Sequence, residues 1–177
     1  MLGWMLAAPL AAEIDWDDVY RAELPRVLNF FRYRVGQRAT AEDLTSATFE
    51  KAWRARGRYR QDRAAIGTWL LAIARNVAID HFRARRVNVP LEDAADVAQP
   101  SRSPEEELQG RADQQRLSTL IAQLPARERE LLALKYGAGE TNRAIARLTG
   151  LSESNVGTIL SRTVATLRSW WATGGRP

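Results

Sequence analysis

The chain contains no cysteine. Disulfides and thiolate metal centres are therefore excluded. Its single histidine, His81, cannot build a histidine-rich metal site, and carboxylates alone would suit only hard cations. No cofactor is expected, and His81 reads as a surface or half-buried side chain. Lysine is nearly missing: Lys51 and Lys135 are the only two among 26 basic residues. Arginine suits bidentate contacts to phosphate and base edges, although a GC-rich coding genome gives the same bias. Long apolar runs are also missing. The stretch from Trp69 to Ile79 spans 11 residues and holds Arg75 and Asn76, whereas a membrane span needs ~20 mostly apolar residues. The opening MLGWMLAAPLAAEID has an apolar run with no basic residue before it, so a tail over residues 1–12 is expected rather than a signal peptide. Phosphate loops, nucleophile elbows and His–Cys pairs do not occur, and neighbouring carboxylates such as Asp17 and Asp18 sit in solvated-looking turns. The sequence therefore predicts a cytoplasmic protein that is not an enzyme.

What is present is ordinary hydrophobic content, 45%, enough for a helical core. The net charge of +5 is unevenly distributed. Residues 51–86 carry 10 basic and 2 acidic residues, and residues 131–177 carry 6 and 2. Between them, residues 87–130 carry 5 basic and 9 acidic residues. One basic block alone reads as a solvated face. Two, in separate segments, point to nucleic acid or an anionic membrane surface.

Apolar spacing over 15–36 predicts a helix, which Pro25 kinks or restarts. A second helix is expected from Thr40. Thr40 and Asp43 resemble a capping box, Glu42 lies in the first turn, and Leu44, Ala47, Thr48, Lys51 and Ala52 share a stripe. Phe49 and Trp53 form an i, i+4 pair. A basic loop leads to GTWLLAIARNVAIDHFRARR, residues 67–86, a helix in which Trp69, Leu70, Ile73 and Val77 pack inward. The pattern then breaks over a proline-containing acidic stretch, read as a flexible linker over 89–107. Ser103-Pro104-Glu105-Glu106 is a helix start, and Leu124-Pro125 opens another helix ended by Gly137. No strand pattern or repeat is found. The fold class is all-α: a helical domain over 13–88, the linker, a second helical domain over 108–173, and a short tail over 174–177.

The second domain carries a helix-turn-helix pattern in TNRAIARLTGLSESNVGTILSRTVATLR. Ile145, Ala146 and Leu148 form the inner face of a short helix. Gly150 stands where the turn needs a left-handed residue. Leu151 plugs the core and Ser152 caps the next helix, whose buried stripe is Val156, Leu160, Val164 and Leu167. Glu153, Ser154, Asn155 and Thr158 would face the major groove, where Asn155 suits adenine, while Arg162 and Arg168 would grip phosphate. An ordinary αα-hairpin with a glycine turn is the plainer alternative.

Taken together the segments resemble a bacterial sigma factor of the sigma-70 family, extracytoplasmic-function group, over residues 15–172. AEDLTSATFEKAWR is similar to the family's polymerase-binding helix, GTWLLAIARNVAIDHFRARR to its promoter-melting helix, and LPARERELLALKYGAGETNRAIARLTGLSESNVGTILSRTVATLR to its C-terminal promoter-reading domain. The resemblance implies docking on core RNA polymerase through Asp43, Leu44, Phe49 and Trp53, unless the two aromatics are simply core. It implies that Arg75, Asn76, Asp80, Arg83, Arg85 and Arg86, with Arg58, Arg60 and Arg63 of the basic loop, meet the minus-ten element, double-stranded and then melted. It implies that Ser152 and the groove-facing residues of the second domain read the minus-thirty-five element. An anti-sigma factor is a further partner that the family implies. The chain departs from close relatives at Gly157, Thr158 and Ile159, where Lys-Ser-Arg is common, and at Val164, where arginine is frequent. A stand-alone helix-turn-helix regulator is the alternative; it leaves the 40–86 block idle.

Overall fold

The computed structural model describes residues 14–88 and 104–175, and among these no strand occurs. The first domain is three helices: α1 (Trp16–Val35), α2 (Arg38–Ala55) and α3 (Ile66–Asn88). The Asp15 carboxylate caps α1 by accepting from the amides of Asp17 and Asp18. Those two acids therefore lie in the first turn of a helix, where the macrodipole favours them, and not in a turn between elements. Pro25 sits inside α1, which runs on through it. Gly36 ends α1 at φ 82, a left-handed geometry that costs glycine nothing. Val27, Phe30, Phe31, Leu70, Leu71 and Ala74 are fully buried between the helices.

Three details of α2 differ from expectation. The helix starts at Arg38, two residues before Thr40, and the Thr40 hydroxyl donates to the Gln37 side chain instead of capping. Glu42 pairs with Arg38 one turn earlier. The buried stripe is Ala41, Leu44, Thr45, Thr48 and Ala52, with Lys51 exposed. Thr45 and Thr48 enter it because each hydroxyl donates to the carbonyl four residues back, which satisfies the polar atom internally.

The second domain contains α4 (Pro104–Ala122), α5 (Ala126–Leu132), α6 (Asn142–Thr149) and α7 (Glu153–Thr173). The expected linker over 89–107 lies outside the described residues up to 103, and residues 104–107 already belong to α4. Helix α5 continues into a π turn, Ala133–Gly137, closed by the Ala138 amide donating to the Ala133 carbonyl at 2.9 Å. The helix-turn-helix forms as expected. Thr141 caps α6, Gly150 turns the chain at φ 75 and ψ 10, and the Ser152 hydroxyl accepts from the Asn155 amide at 3.2 Å. The inner stripe of α7 uses Val156, Leu160 and Thr163, while Val164 is only half-buried. Thr163 is admitted because its hydroxyl donates to the Ile159 carbonyl.

The two domains are not held apart. Helix α1 packs on α2 and α3 with one side and on α5 and the π turn with another, and one hydrophobic cluster runs from Val27 to Leu160 through both domains. The approach is tight at Gly137, where an added β-carbon would stand 2.9 Å from the Asn29 carbonyl oxygen.

Candidate nucleic-acid interface

On the first domain the basic loop presents Arg58, Arg60 and Arg63 to solvent. Its shape is fixed by the Tyr59 hydroxyl, which donates to the Ala64 carbonyl, and by the Tyr59 ring resting on Trp69. Arg60 forms a bidentate pair with Asp62, at 3.0 and 3.1 Å, so one loop cation is already partly neutralised. Along α3, Asn76, Asp80, Arg83 and Arg85 are exposed. Asp80 accepts from Lys51 at 3.4 Å and lies near Arg83, so it links α3 to α2 across the surface. The side chain of Arg86 lies outside the described residues. His81 is half-buried, as expected, and burial, then the nearby Arg85, holds it below the usual imidazole range.

Arg75 stands apart from this set. Its Nε donates to Glu130 of α5 at 2.6 Å, and the side chains are 23% and 7% exposed. The residue expected on the DNA face is engaged by the other domain. Glu140 repeats the pattern: it accepts from Arg26 at 3.1 Å and from the Thr68 hydroxyl at 3.2 Å. These two buried acids, missed in the sequence, are the polar ties of the seam. Arg34 lies beside Glu130 with 6% exposure, its guanidinium 4.6 Å over the Phe82 ring. Its Nε and Nη1 have no hydrogen-bond partner. Burial pulls its pKa down to about 10, against the attraction of Glu130 and helped by Arg129 and Arg75.

A guanidinium that loses its proton more readily folded than unfolded costs stability at every pH below about 10. Two unmade N–H bonds cost ~1–3 kcal/mol each, more than the ~1–2 kcal/mol that a stacked cation returns. Arg34→Met should therefore raise stability by about 1 kcal/mol at pH 7. That gain should shrink as pH rises through about 10, where the wild-type charge is discharged. Chemical denaturation at pH 7 and pH 10.5 checks both; equal stability of the two proteins at pH 7 would refute the penalty.

An aromatic corner lies beyond the basic loop. Trp53 is 51% exposed and meets Trp16 edge-on at 6.2 Å, with Arg56 stacked 4.0 Å over its ring. Phe49 is half-buried and packs against Tyr20 at 4.7 Å. The two rings expected to pair along α2 thus turn to α1 instead. Asp43 is exposed on the same helix, whereas Leu44 belongs to the core. The contributions of Trp16, Tyr20 and Tyr59 were missed, since each meets its partner across elements.

On the second domain Ser152, Glu153, Ser154, Asn155 and Thr158 are exposed over the first turns of α7, with Arg162 and Arg168 further along. The Thr158 hydroxyl donates to the Ser154 carbonyl, which leaves Asn155 the freer polar group. Gly157 lies beside Asn142 in a groove of about 390 Å³ that Lys135, Tyr136 and Arg168 also line. Ile159 and Val164 pack partly on the core, so both positions serve α7 packing.

A basic helical bundle followed by a helix-turn-helix defines a two-module nucleic-acid reader. The comparisons agree with that order. The family model for Sigma-70 region 2 matches residues 19–88, and that for Sigma-70, region 4 matches residues 114–167. The chain is 34% identical over 143 residues to the ECF RNA polymerase sigma factor BldN of Streptomyces coelicolor, covering 80% of this chain and 54% of BldN. It is 32% identical over 141 residues to the RNA polymerase sigma factor CarQ of Myxococcus xanthus, covering 80% of each. The chain therefore belongs to the sigma-70 family, in its extracytoplasmic-function group. It spans about half the length of BldN and 34% of the probable sigma factor RfaY of Xanthomonas campestris. In fold it resembles the sigma factor RpoE of Bartonella quintana, solved with the anti-sigma factor NepR, at a TM-score of 0.73 and 22% identity over 88% of this chain and 95% of that one. No described helix is long and apolar enough to cross a membrane.

Proposed function

We propose that this chain is a sigma factor that binds core RNA polymerase, brings it to promoters and helps melt the minus-ten element. The single observation that carries the reading is the exposed face of α2. A large aromatic side chain left half in solvent, ringed by Trp16 and Arg56 and accompanied by Asp43, is the chemistry of a protein-docking anchor. Acidic charge steers the encounter and the indole supplies the buried area. Asp43, Phe49 and Trp53 carry this role; Leu44 supports it from the core.

Beside that face, Arg58, Arg60, Arg63, Asn76, Arg83 and Arg85 supply the positive surface that a separated strand needs. Unpairing a base costs a few kcal/mol, so trapping opened DNA requires the polymerase complex and not this chain alone. Asn155 and its neighbours on α7 read the upstream element, with Arg162 and Arg168 on phosphate. The reaction is regulatory, not catalytic, and takes place in the cytoplasm. The RpoE relative was solved with NepR, and CnrH, similar in fold at a TM-score of 0.61, with the cytosolic domain of CnrY. An anti-sigma protein is the further partner proposed for this chain.

The test is a pull-down with core RNA polymerase. Wild type should bind with nanomolar strength, and Asp43→Arg combined with Trp53→Ala should weaken binding at least a hundredfold while helicity is unchanged. A wild-type chain that binds DNA but never polymerase would establish a stand-alone regulator instead.

A further inference from the structure

Neither polymerase docking nor promoter contact uses the cavity between the C-terminal end of α1, the helix α4 and Arg129 of α5. It measures about 110 Å³, close to the ~150 Å³ of an engineered apolar cavity that takes up benzene. We propose that it is a binding site for a small carboxylate with an apolar, ring-sized body, whose charged end meets Arg129.

The apolar part of the wall comes from Tyr33 and Val35 of α1 and from Leu117 and Ile121 of α4. Leu117 is 38% exposed, so the space opens to solvent beside it and a ligand can enter there. The half-buried ring of Tyr33 favours an aromatic body, because ring pairs gain beyond the area that they bury. Apolar walls alone would hold such a body in any orientation; a few polar groups are what fix a ligand in place.

Arg129 supplies the polar end. Its Nε is buried and has no hydrogen-bond partner. Its Nη1 reaches the Ala122 carbonyl at a long 3.4 Å. No carboxylate lines the cavity. Glu130, next in sequence, is spent on Arg75 and Arg127. Burial accordingly pulls the Arg129 pKa below the usual guanidinium range. A desolvated cation costs free energy until an anion meets it. A carboxylate suits the role best, since its two oxygens match the planar fork of a guanidinium.

Volume narrows the class further. Sites for drug-sized ligands run to ~300–1,000 Å³, so a nucleotide or a long acyl chain is too large for this one. Inorganic phosphate would satisfy the cation but leave the apolar walls bare. A single ring with one carboxylate answers both halves of the wall. None of the cavity residues belongs to the sets assigned to polymerase or promoter. The site therefore stands or falls independently of the sigma reading.

The probe is phenylacetate, titrated into the full chain and followed by calorimetry. It should bind at a single site with a Kd of about 0.1 mM, a strength open to a ligand of roughly ten heavy atoms. Two controls on the wild-type chain need no variant to fold. Phenylacetamide keeps the shape without the charge, and inorganic phosphate keeps the charge without the ring; each should bind about tenfold more weakly or worse. Arg129→Gln should weaken phenylacetate by about tenfold or more, and Arg129→Lys should lose less, because it keeps the charge. Ser118→Leu, which fills the space from α4, should abolish binding. Circular dichroism should show the same helicity in all variants, and saturating phenylacetate should raise the melting temperature of wild type but not of Ser118→Leu. No heat of binding up to about 10 mM overturns the proposal. So does full affinity for phenylacetamide, which would make the cavity an apolar void. Equal affinity for phosphate, or undiminished binding in Arg129→Gln, overturns it as well.

Discussion

Phe30→Ala should destabilise the chain by about 3–5 kcal/mol, the usual cost of emptying a phenylalanine site. Phe30 is fully buried and meets Phe31 edge-on at 5.2 Å, so the loss includes an aromatic contact as well as apolar area. Its backbone also borders Gly137, at the place where the second domain touches α1. The site therefore has little room to collapse, since helices from both domains frame it. Leu28, only partly buried on the same helix, gives the comparison: Leu28→Ala should cost about half as much or less. Total stability of a domain is ~5–15 kcal/mol, so Phe30→Ala removes a large share of it. Urea denaturation should show a lower midpoint with an unchanged slope. A cost below about 1 kcal/mol would mean that the cluster around Phe30 is loosely packed.

The local rules of the helices were open to reading because they are written within a few residues of one another. Ser152 before an apolar stripe, Gly150 after one, and Pro104 behind a serine each identify a terminus without reference to the rest of the chain. The start of α2 was missed because two signals competed. Thr40 and Asp43 suit a capping box, but Arg38 and Glu42 pair at i, i+4 and carry the helix further back. Val164 packs partly on the core, as its apolarity predicts, and Thr163 joins the buried stripe beside it because its hydroxyl bonds its own helix. Leu44, assigned to docking, is core, which its place in the apolar stripe already suggested.

The seam was not legible, since its partners are far apart in sequence: Arg75 and Glu130, Arg26 and Glu140. One sign of it was nevertheless present. Glu130 falls within the buried run of α5, ahead of Leu131, Leu132, Ala133 and Leu134. A carboxylate in that register must find a cation or lose its charge. The flanking arginines of its own helix offered an answer within the domain, and Arg127 does lie 3.6 Å away. The stronger partner comes from the other domain. Periodicity reports that a charge is buried but not by which segment.

The second large effect is expected at Gly150. Its φ of 75 and ψ of 10 lie in the left-handed region, and its amide donates to the Ala146 carbonyl at 2.9 Å to close α6. An added β-carbon would meet nothing within 4 Å. Any cost of substitution is therefore conformational and not steric crowding by neighbours. Alanine in this conformation costs ~1–2 kcal/mol, and a β-branched residue costs more because both of its γ-carbons crowd the backbone. Asparagine visits the left-handed region more readily than other non-glycine residues. The order of stability should thus be glycine, then Asn, then Ala, then Val, with Gly150→Val losing about 2–3 kcal/mol. Where the strain exceeds what the turn can hold, the chain will relax by rotating α6 against α7. On the proposed function, the exposed face carrying Asn155 would then lose its register with the groove, and promoter binding by the polymerase complex should fall before the second domain unfolds. Thermal denaturation of the four proteins, with promoter affinity measured in the holoenzyme, checks the order. If Asn fares no better than Ala, the left-handed turn is not what Gly150 supplies, and the angle between the two helices is set elsewhere.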